Sequence, residues 1–179
     1  EVSPDASTAG GERLRRTLNP LILAIRTVEK PFIAAVNGVA AGAGCNLALA
    51  CDIVLASDAA RFGNVFTRIG LIPDCGGHFF LPRLVGFHKA AELMFTGEII
   101  DAHETDRLVL INRVVPYTEL AKQARELAER VVGDPARGTD PRIAAPLSSG
   151  ACLCGSEDPL GTGDRGRIEC SVALPDVAQ

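Results

Sequence analysis

Three small residues, Gly42 to Gly44, stand where the sequence could do chemistry with its backbone alone. They follow an apolar run, Phe32 to Val36, which predicts a buried strand, and they precede Cys45 to Ala50, which predicts a short helix. Bare N–H groups at a helix N-terminus attract an anion, or a carbonyl that is becoming one. The spacing G-V-A-A-G-A-G matches neither the dinucleotide fingerprint nor a phosphate loop. From the residues alone, a purely structural turn is an equally good interpretation.

Asp74, in the segment I-P-D-C-G-G, is the acidic side chain that could act as a general base. An Asp ahead of two glycines is also typical of a turn, or of a cap before a helix that begins near His78. The residues by themselves favour this structural interpretation.

The other acidic and imidazole side chains near Asp74 are typical of surface residues. Glu92 and Glu98 fall on or beside a predicted helix with polar neighbours. No histidine has a Ser or Cys beside it in a recognisable triad motif, which favours surface or capping roles for His78, His88 and His103. His78 lies four residues after Asp74 and could also line a pocket.

Helices and strands alternate around these candidate groups, which predicts an α/β fold with parallel strands. Apolar residues at helical spacing predict an amphipathic helix over Arg13–Val28. Strands are predicted at Phe32–Val36, Ile53–Ala56 and Ala60–Gly63, a loop at Ile69–Gly77, and a strand or connector at Leu110–Val115. Further helices are predicted at His78–Leu84, at His88–Phe95, from a capping Asp101 to Leu108, and at Thr118–Val132.

Length and composition predict one globular domain with a divergent tail. The chain has 179 residues, 47% of them hydrophobic, and a net charge of −4. Residues 1–132 hold the predicted elements, and residues 133–179, rich in Gly, Pro, Ser and Asp, predict a loosely ordered tail. The sequence has no basic stripe for nucleic acid, no membrane-spanning apolar run and no leader pattern, so we expect a soluble cytoplasmic protein.

Six cysteines are present, and their surroundings predict thiols rather than disulfides or metal ligands. Cys45, Cys51 and Cys75 lie in apolar or Gly-rich segments, where a thiol behaves as a small hydrophobe. The pair Cys152 and Cys154 is too closely spaced for a zinc knuckle and has no neighbouring His. No metal site is predicted.

Several blocks occur in a fixed order over roughly Leu18 to Val132. They are A-A-V-N-G-V-A-A-G-A-G-C-N-L-A-L-A-C-D-I-V, A-R-F-G, I-G-L-I-P-D-C-G-G and L-P-R-L-V-G. In register, these blocks resemble the crotonase family, also called enoyl-CoA hydratase/isomerase. V-A-A-G-A-G with G-L-I-P-D-C-G-G is most similar to the ring-1,2-epoxyphenylacetyl-CoA isomerase branch of phenylacetate catabolism.

The resemblance implies a crotonase-like α/β fold, a spiral of ββα units, here lacking the family's usual start and carrying an unrelated-looking tail. It implies an acyl-CoA substrate, with coenzyme A as part of that substrate and no other cofactor. It also implies assembly as a homotrimer or hexamer, without nucleic acid or membrane partners.

The resemblance also implies which residues form the site. One of two backbone N–H groups that polarise the thioester carbonyl maps onto Ala43, and the other belongs to an F-x-A-G-x-D-type block that this sequence lacks. The two catalytic Glu residues of hydratases map onto Asn46 and Phe66, neither of which can exchange a proton. Asp74 maps onto the catalytic Asp of isomerase members and of the 4-chlorobenzoyl-CoA dehalogenase branch. Residues expected to contact the substrate are Ala41, Gly42, Asn46, Val65 and Phe66.

Two functions follow from these assignments. The first is an acyl-CoA isomerase that shifts a double bond, or opens an epoxide ring, through a thioester enolate, with Asp74 as the base in an apolar pocket that includes Val65 and Phe66. The dehalogenase alternative would need an activating His that cannot be located.

The second is a non-catalytic crotonase-like protein that only binds acyl-CoA or partner subunits. The missing donor block favours it, and so does Val109. The family usually has a left-handed Gly at this helix end, where a β-branched residue is expected to be strained or to force a different ending.

Overall fold

The computed structural model describes residues 11–28 and 30–132, which form helices packed against two small sheets. In chain order the elements are α1 (Leu18–Thr27), β1 (Ile33–Val36), β2 (Val39–Ala41), α2 (Ala43–Ala50), β3 (Ile53–Ser57), β4 (Arg61–Gly63), a 3₁₀ helix (Val65–Ile69), α3 (Gly77–Val85), α4 (Phe87–Thr96), β5 (Ile99–Asp101), α5 (Ala102–Arg107), β6 (Arg113–Val115), a second 3₁₀ helix (Tyr117–Glu119) and α6 (Leu120–Val132). Residues 11–16 are also helical.

Each sheet has three strands. The first has the order β1-β3-β6 and is parallel throughout, with Ile33 opposite Ile53 and Leu55 opposite Arg113. The second has the order β2-β4-β5, in which β4 is parallel to β2 and antiparallel to β5. The chain passes from the first sheet to the second at Asn37-Gly38, and α2 follows directly after the first strand of the second sheet.

The largest apolar cluster joins both sheets to α2, α3 and α4. Its innermost members include Ala56 and Ala90, which are fully buried, and Phe62, Leu81 and Leu93 beside them. A second cluster brings Ile22 and Ile25 of α1 onto Ala50 and Cys75. Helix α1 therefore covers one side of the region in which the candidate site lies.

The predicted helices and most predicted strands are confirmed, with ends that move by a few residues. The segment predicted as a loop after β1 contains β2, whose three residues are too few to show a periodicity. Three of the four strand pairings are parallel, as predicted, and the exception is β4 with β5, where the chain returns after two α-helices. The predicted tail, together with Cys152 and Cys154, lies outside the described residues.

Asp101 caps α5, as predicted. Its carboxylate accepts the Glu104 N–H at 2.8 Å, and this hydrogen bond, with help from Arg61, holds the pKa of the Asp101 carboxyl below its usual range. Among the residues that the structure describes, no helix is long and apolar enough to cross a membrane.

Val109 ends the turn after α5 in a left-handed conformation, with φ 59°. Its N–H donates to the Asp106 carbonyl at 2.8 Å, and the next N–H, of Leu110, donates to Thr105 at 3.0 Å. The helix therefore terminates as a helix with a C-terminal Gly does, although the residue is β-branched. Of the two outcomes expected from the sequence, Val109 does not force a different helix end but takes the left-handed conformation, in which a β-branched residue is expected to be strained.

Replacing Val109 by Gly is expected to stabilise the fold by about 1 kcal/mol, because the left-handed conformation costs an L-residue roughly that much. Val39 is the matched control, since both side chains are 71% exposed but Val39 lies in a strand with ordinary backbone angles. Val39→Gly should lower the free energy of unfolding by about 0.5–1 kcal/mol. Urea unfolding of both variants measures the difference, and equal losses would contradict the strain.

Candidate functional site

Gly42 fixes the start of α2. Its backbone angles, φ 55° and ψ −122°, are open to glycine and closed to side-chain-bearing residues. Its N–H donates to the Gly63 carbonyl of β4 at 2.8 Å, and its carbonyl accepts the Asn46 N–H at 3.1 Å. Ala43 is consequently the first residue of the helix, where a backbone N–H has no acceptor within the helix. That is the position expected of the oxyanion donor.

Phe66 packs an aromatic ring against this turn. A Cβ built on Gly42 would lie 3.6 Å from the Phe66 ring tip, and Phe66 is 6% exposed. The ring therefore packs beside Gly42, the residue before Ala43. Ala41 and Val65, the neighbouring residues expected at the substrate, are both half-buried.

Asn46 lies one turn into α2 and is fully buried. Its amide N–H donates to the main-chain carbonyl of Asp74 at 2.8 Å. The amide also lies against Gly77, the first residue of α3, where an added Cβ would stand 2.3 Å from the Asn46 nitrogen. The structure thus brings together two predicted site residues, Asn46 and Asp74, through a contact that the sequence reasoning missed. The G-G pair at 76–77 was the available signal, because glycine allows close backbone approach.

The main chain of Asp74 forms a turn, and its carboxylate has a buried oxygen without a hydrogen-bond partner. Its carbonyl accepts the Gly77 N–H at 2.9 Å in addition to the Asn46 amide, so the turn predicted there is present. Its carboxylate oxygen Oδ1 is buried and has no hydrogen-bond partner among the described residues. An oxygen without a donor is open to a hydrogen bond from a bound molecule.

Comparison with known proteins identifies the family. Residues 6–139 match the family described as enoyl-CoA hydratase/isomerase. The chain belongs to this family, and its α/β fold is the crotonase fold. The chain is 41% identical over 130 residues to a short-chain-enoyl-CoA hydratase of Clostridium acetobutylicum, covering 73% of this chain and 50% of that protein. It is 42% identical over 128 residues to a 1,2-epoxyphenylacetyl-CoA isomerase of Escherichia coli, covering 72% and 49%.

Solved crotonase structures agree with this assignment. An enoyl-CoA hydratase/isomerase from Cupriavidus metallidurans superposes with a TM-score of 0.72 at 40% identity, over 79% of this chain and 53% of that one. A putative enoyl-CoA hydratase from Streptomyces coelicolor superposes with a TM-score of 0.73 at 36% identity, over 79% and 52%.

The comparisons establish the family and leave the branch open. The chain spans about half the length of these crotonase relatives. Relatives named as hydratases and one named as an isomerase match it at similar identity, so the epoxyphenylacetyl-CoA branch is one of several equally similar ones.

Cys75 follows Asp74 and anchors the loop to the interior of this crotonase domain. It is 4% exposed, packs in the cluster with Ile22 and Ile25, and has a left-handed φ of 49°. Burial, followed by the interaction with the neighbouring negative Asp74 carboxylate, raises the pKa of Cys75 to about 12. The thiol therefore stays protonated beside Asp74 at neutral pH.

The three histidines are exposed, and His78 is the one that contacts the Asp74 loop. His78 is exposed, with Nδ1 3.0 Å from the Pro73 carbonyl, and His88 and His103 are exposed on their helices. Glu92 pairs with Lys89 on the surface of α4. Within residues 11–28 and 30–132, no group of three or more His, Cys, Asp or Glu side chains could hold a metal ion.

The contact between Asn46 and Gly77 predicts a strong effect of a single methyl group. Gly77→Ala should destabilise the fold by about 1–3 kcal/mol, because the methyl must displace the buried amide. Gly44→Ala is the matched control, since Gly44 also lies in the first turn of a helix but has open space around it, and it should be neutral or stabilising. Thermal unfolding distinguishes the two, and equal midpoints would contradict the close contact.

Proposed function

We propose that this chain supplies the base and one oxyanion donor of an acyl-CoA isomerase. The unpaired, buried Oδ1 of Asp74 is the observation that carries the proposal. Ala43 packs against the apolar cluster that contains Cys75, the residue after Asp74. The first turn of α2 and the Asp74 loop are therefore neighbours, as a base and an oxyanion donor that serve one thioester must be.

The reaction that fits these two groups is migration of a double bond. The Asp74 carboxylate takes a proton from C2 of a 3-enoyl-CoA, and the electron pair of the C–H bond moves into the thioester as an enolate. The Ala43 N–H donates to the enolate oxygen, where negative charge develops. Asp74 then returns the proton at C4, which leaves a 2-enoyl-CoA. The same enolate chemistry would serve opening of an epoxide ring.

Addition of water is disfavoured by the same geometry. The two positions that carry the acids of hydratases hold Asn46 and Phe66. The side-chain amide of Asn46 donates to the Asp74 carbonyl, and the Phe66 ring fills space beside Gly42. Neither side chain can activate a water molecule or deliver a proton.

Replacement of Asp74 by Asn should lower kcat for migration by at least about 10³-fold while leaving acyl-CoA affinity intact, because general base catalysis is removed and the shape is kept. The assay follows formation of 2-enoyl-CoA and deuterium uptake from a 3-enoyl-CoA in heavy water. Glu98→Gln is the matched control, an exposed acid whose loss should leave the rate unchanged. Folded wild-type protein that neither exchanges nor isomerises would instead favour the non-catalytic alternative.

Ala43→Pro tests the oxyanion donor in the same assay. Proline at the first position of a helix keeps the backbone and removes only the N–H. We expect a loss of about 10²–10³-fold in kcat, as for removal of one oxyanion donor. Ala43→Ser, which keeps the N–H, should retain the rate, and equal rates for the two variants would exclude the Ala43 N–H as a donor.

We also propose the homotrimer or hexamer that the resemblance implies. Large apolar side chains stand exposed near the site, including Ile69 at 71%, Ile72 at 81% and Phe95 at 78%. Such side chains are typical of surfaces that are covered in an assembly. Light scattering should give three or six times the 18.8 kDa of one chain, and a monomer would contradict the assembly.

A further inference from the structure

Asn46 is a polar residue in an otherwise apolar, buried helix. It is fully buried between Cys45 and the apolar residues that follow it, Ala48, Leu49 and Ala50. Its Oδ1 is buried and has no partner among the described residues. Such an oxygen costs a protein stability, so an apolar side chain of similar size would stabilise this position better. The amide therefore needs an explanation other than stability.

The contacts of Asn46 fix the orientation of its amide. The nitrogen lies 2.8 Å from the Asp74 carbonyl, and a flipped amide would set two oxygens against each other. The side chain therefore acts as a donor, aimed at the main chain of the residue that carries the proposed base.

The Asp74 loop depends on few other bonds. Residues 71–73 lie outside helices and strands. The loop is held on one side by the Leu71 N–H, which donates to Phe66 at 3.0 Å, and on the other by the Gly77 N–H, which donates to Asp74 at 2.9 Å. From the start of α3, His78 Nδ1 also lies 3.0 Å from the Pro73 carbonyl. The Asn46 amide is the bond that reaches this loop from α2, the helix whose first residue is Ala43.

We propose that Asn46 is a positioning residue, which sets the Asp74 carboxylate at a fixed place relative to the Ala43 N–H by binding the Asp74 carbonyl. One end of this hydrogen bond lies on α2, which also carries Ala43, and the other lies on the short Asp74 loop. Loss of the bond therefore lets the loop and its base move, while the Ala43 N–H stays in place on the helix. The inference rests on the isomerase function proposed above and deepens it. In this proposal, the position that holds a catalytic acid in hydratases holds a side chain that donates a hydrogen bond and transfers no proton.

Asn46→Asp tests the hydrogen bond without changing size. A protonated carboxyl donates to the Asp74 carbonyl as the amide does, whereas an ionised one cannot, and burial favours the protonated form. We expect kcat of the variant to fall by about tenfold as the pH rises through the titration of the introduced carboxyl, the size expected for one lost hydrogen bond. The kcat of wild type should show no such fall, and the kcat of Asn46→Ala should be low at every pH. The KM values of wild type and of both variants should agree within about twofold.

Alkylation of Cys75 reports the loop position without any need for turnover. Cys75 and Cys45 are each 4% exposed, and burial raises the pKa of each thiol to about 12, so both should react slowly with iodoacetamide. In Asn46→Ala, Cys75 should react at least about tenfold faster, while Cys45 on α2 keeps its rate and serves as the internal control. Peptide mass spectrometry separates the two sites.

The two readouts decide the inference together. A shifted pH profile with faster Cys75 alkylation supports it. Unchanged Cys75 alkylation overturns it, and so does faster alkylation with wild-type kcat and pH profile. If wild type does not isomerise, the proposed function fails, and the Cys75 rates alone decide whether Asn46 holds the loop. Should Asn46→Ala fail to fold, the isosteric Asn46→Asp carries both measurements, with alkylation compared at low and high pH.

Discussion

The close approach of α2 to the start of α3 is the constraint on which this site depends. The Asn46 amide lies where a Cβ at Gly77 would stand, and the Asp74 carbonyl receives one hydrogen bond from each of these two residues. Without that approach the Asp74 carbonyl would lose its hydrogen bond to the helix that begins at Ala43, and only the apolar packing of Cys75 would join the loop to that helix. Glycine is therefore needed at position 77 because a Cβ would collide with the Asn46 amide, whereas it is needed at position 42 because the backbone angles there exclude other residues.

Polar groups without partners are concentrated around this approach. In the part of the chain that the structure describes, the buried side-chain oxygens with no hydrogen bond belong to Asn46, Asn64 and Asp74. Asn64 follows Gly63, whose carbonyl holds Gly42, and its amide lies 4.0 Å from the Cys45 sulfur. Each such oxygen costs about 1–3 kcal/mol of stability. These three oxygens lower the stability of the fold in the same region in which catalysis is proposed.

Much of this fold could be predicted from the sequence because periodicity and punctuation reveal elements of sufficient length. The pattern of α6 and the turn residues around α3 and α4 placed those helices within a few residues. Strand β2 was missed because three residues hold no pattern, and its existence depends on pairing with β4, which lies about 20 residues later.

The site was predictable to a different depth. The turn at Gly42 and the left-handed helix end at Val109 follow from local rules about backbone angles, and both are present. The contact of Asn46 with the Asp74 carbonyl joins residues 28 positions apart, and no local rule identifies such a partner. Which residues contact the Asp74 loop depends on packing between helices and strands. The sequence showed only two adjacent glycines, which allow another element to approach closely.

The sheet registers also bear on the order in which the parts of this domain can form. Ile33 pairs with Ile53 and Val39 with Arg61, whereas β6 joins β3 through Leu55 and Arg113, far later in the chain. Closing that longer loop costs roughly 1 kcal/mol more chain entropy than closing either of the shorter ones. The strands that frame the Gly42 turn thus belong to the most local part of the topology. The Gly42 turn can take shape within a contiguous segment of the chain before the strand that completes the first sheet has joined it.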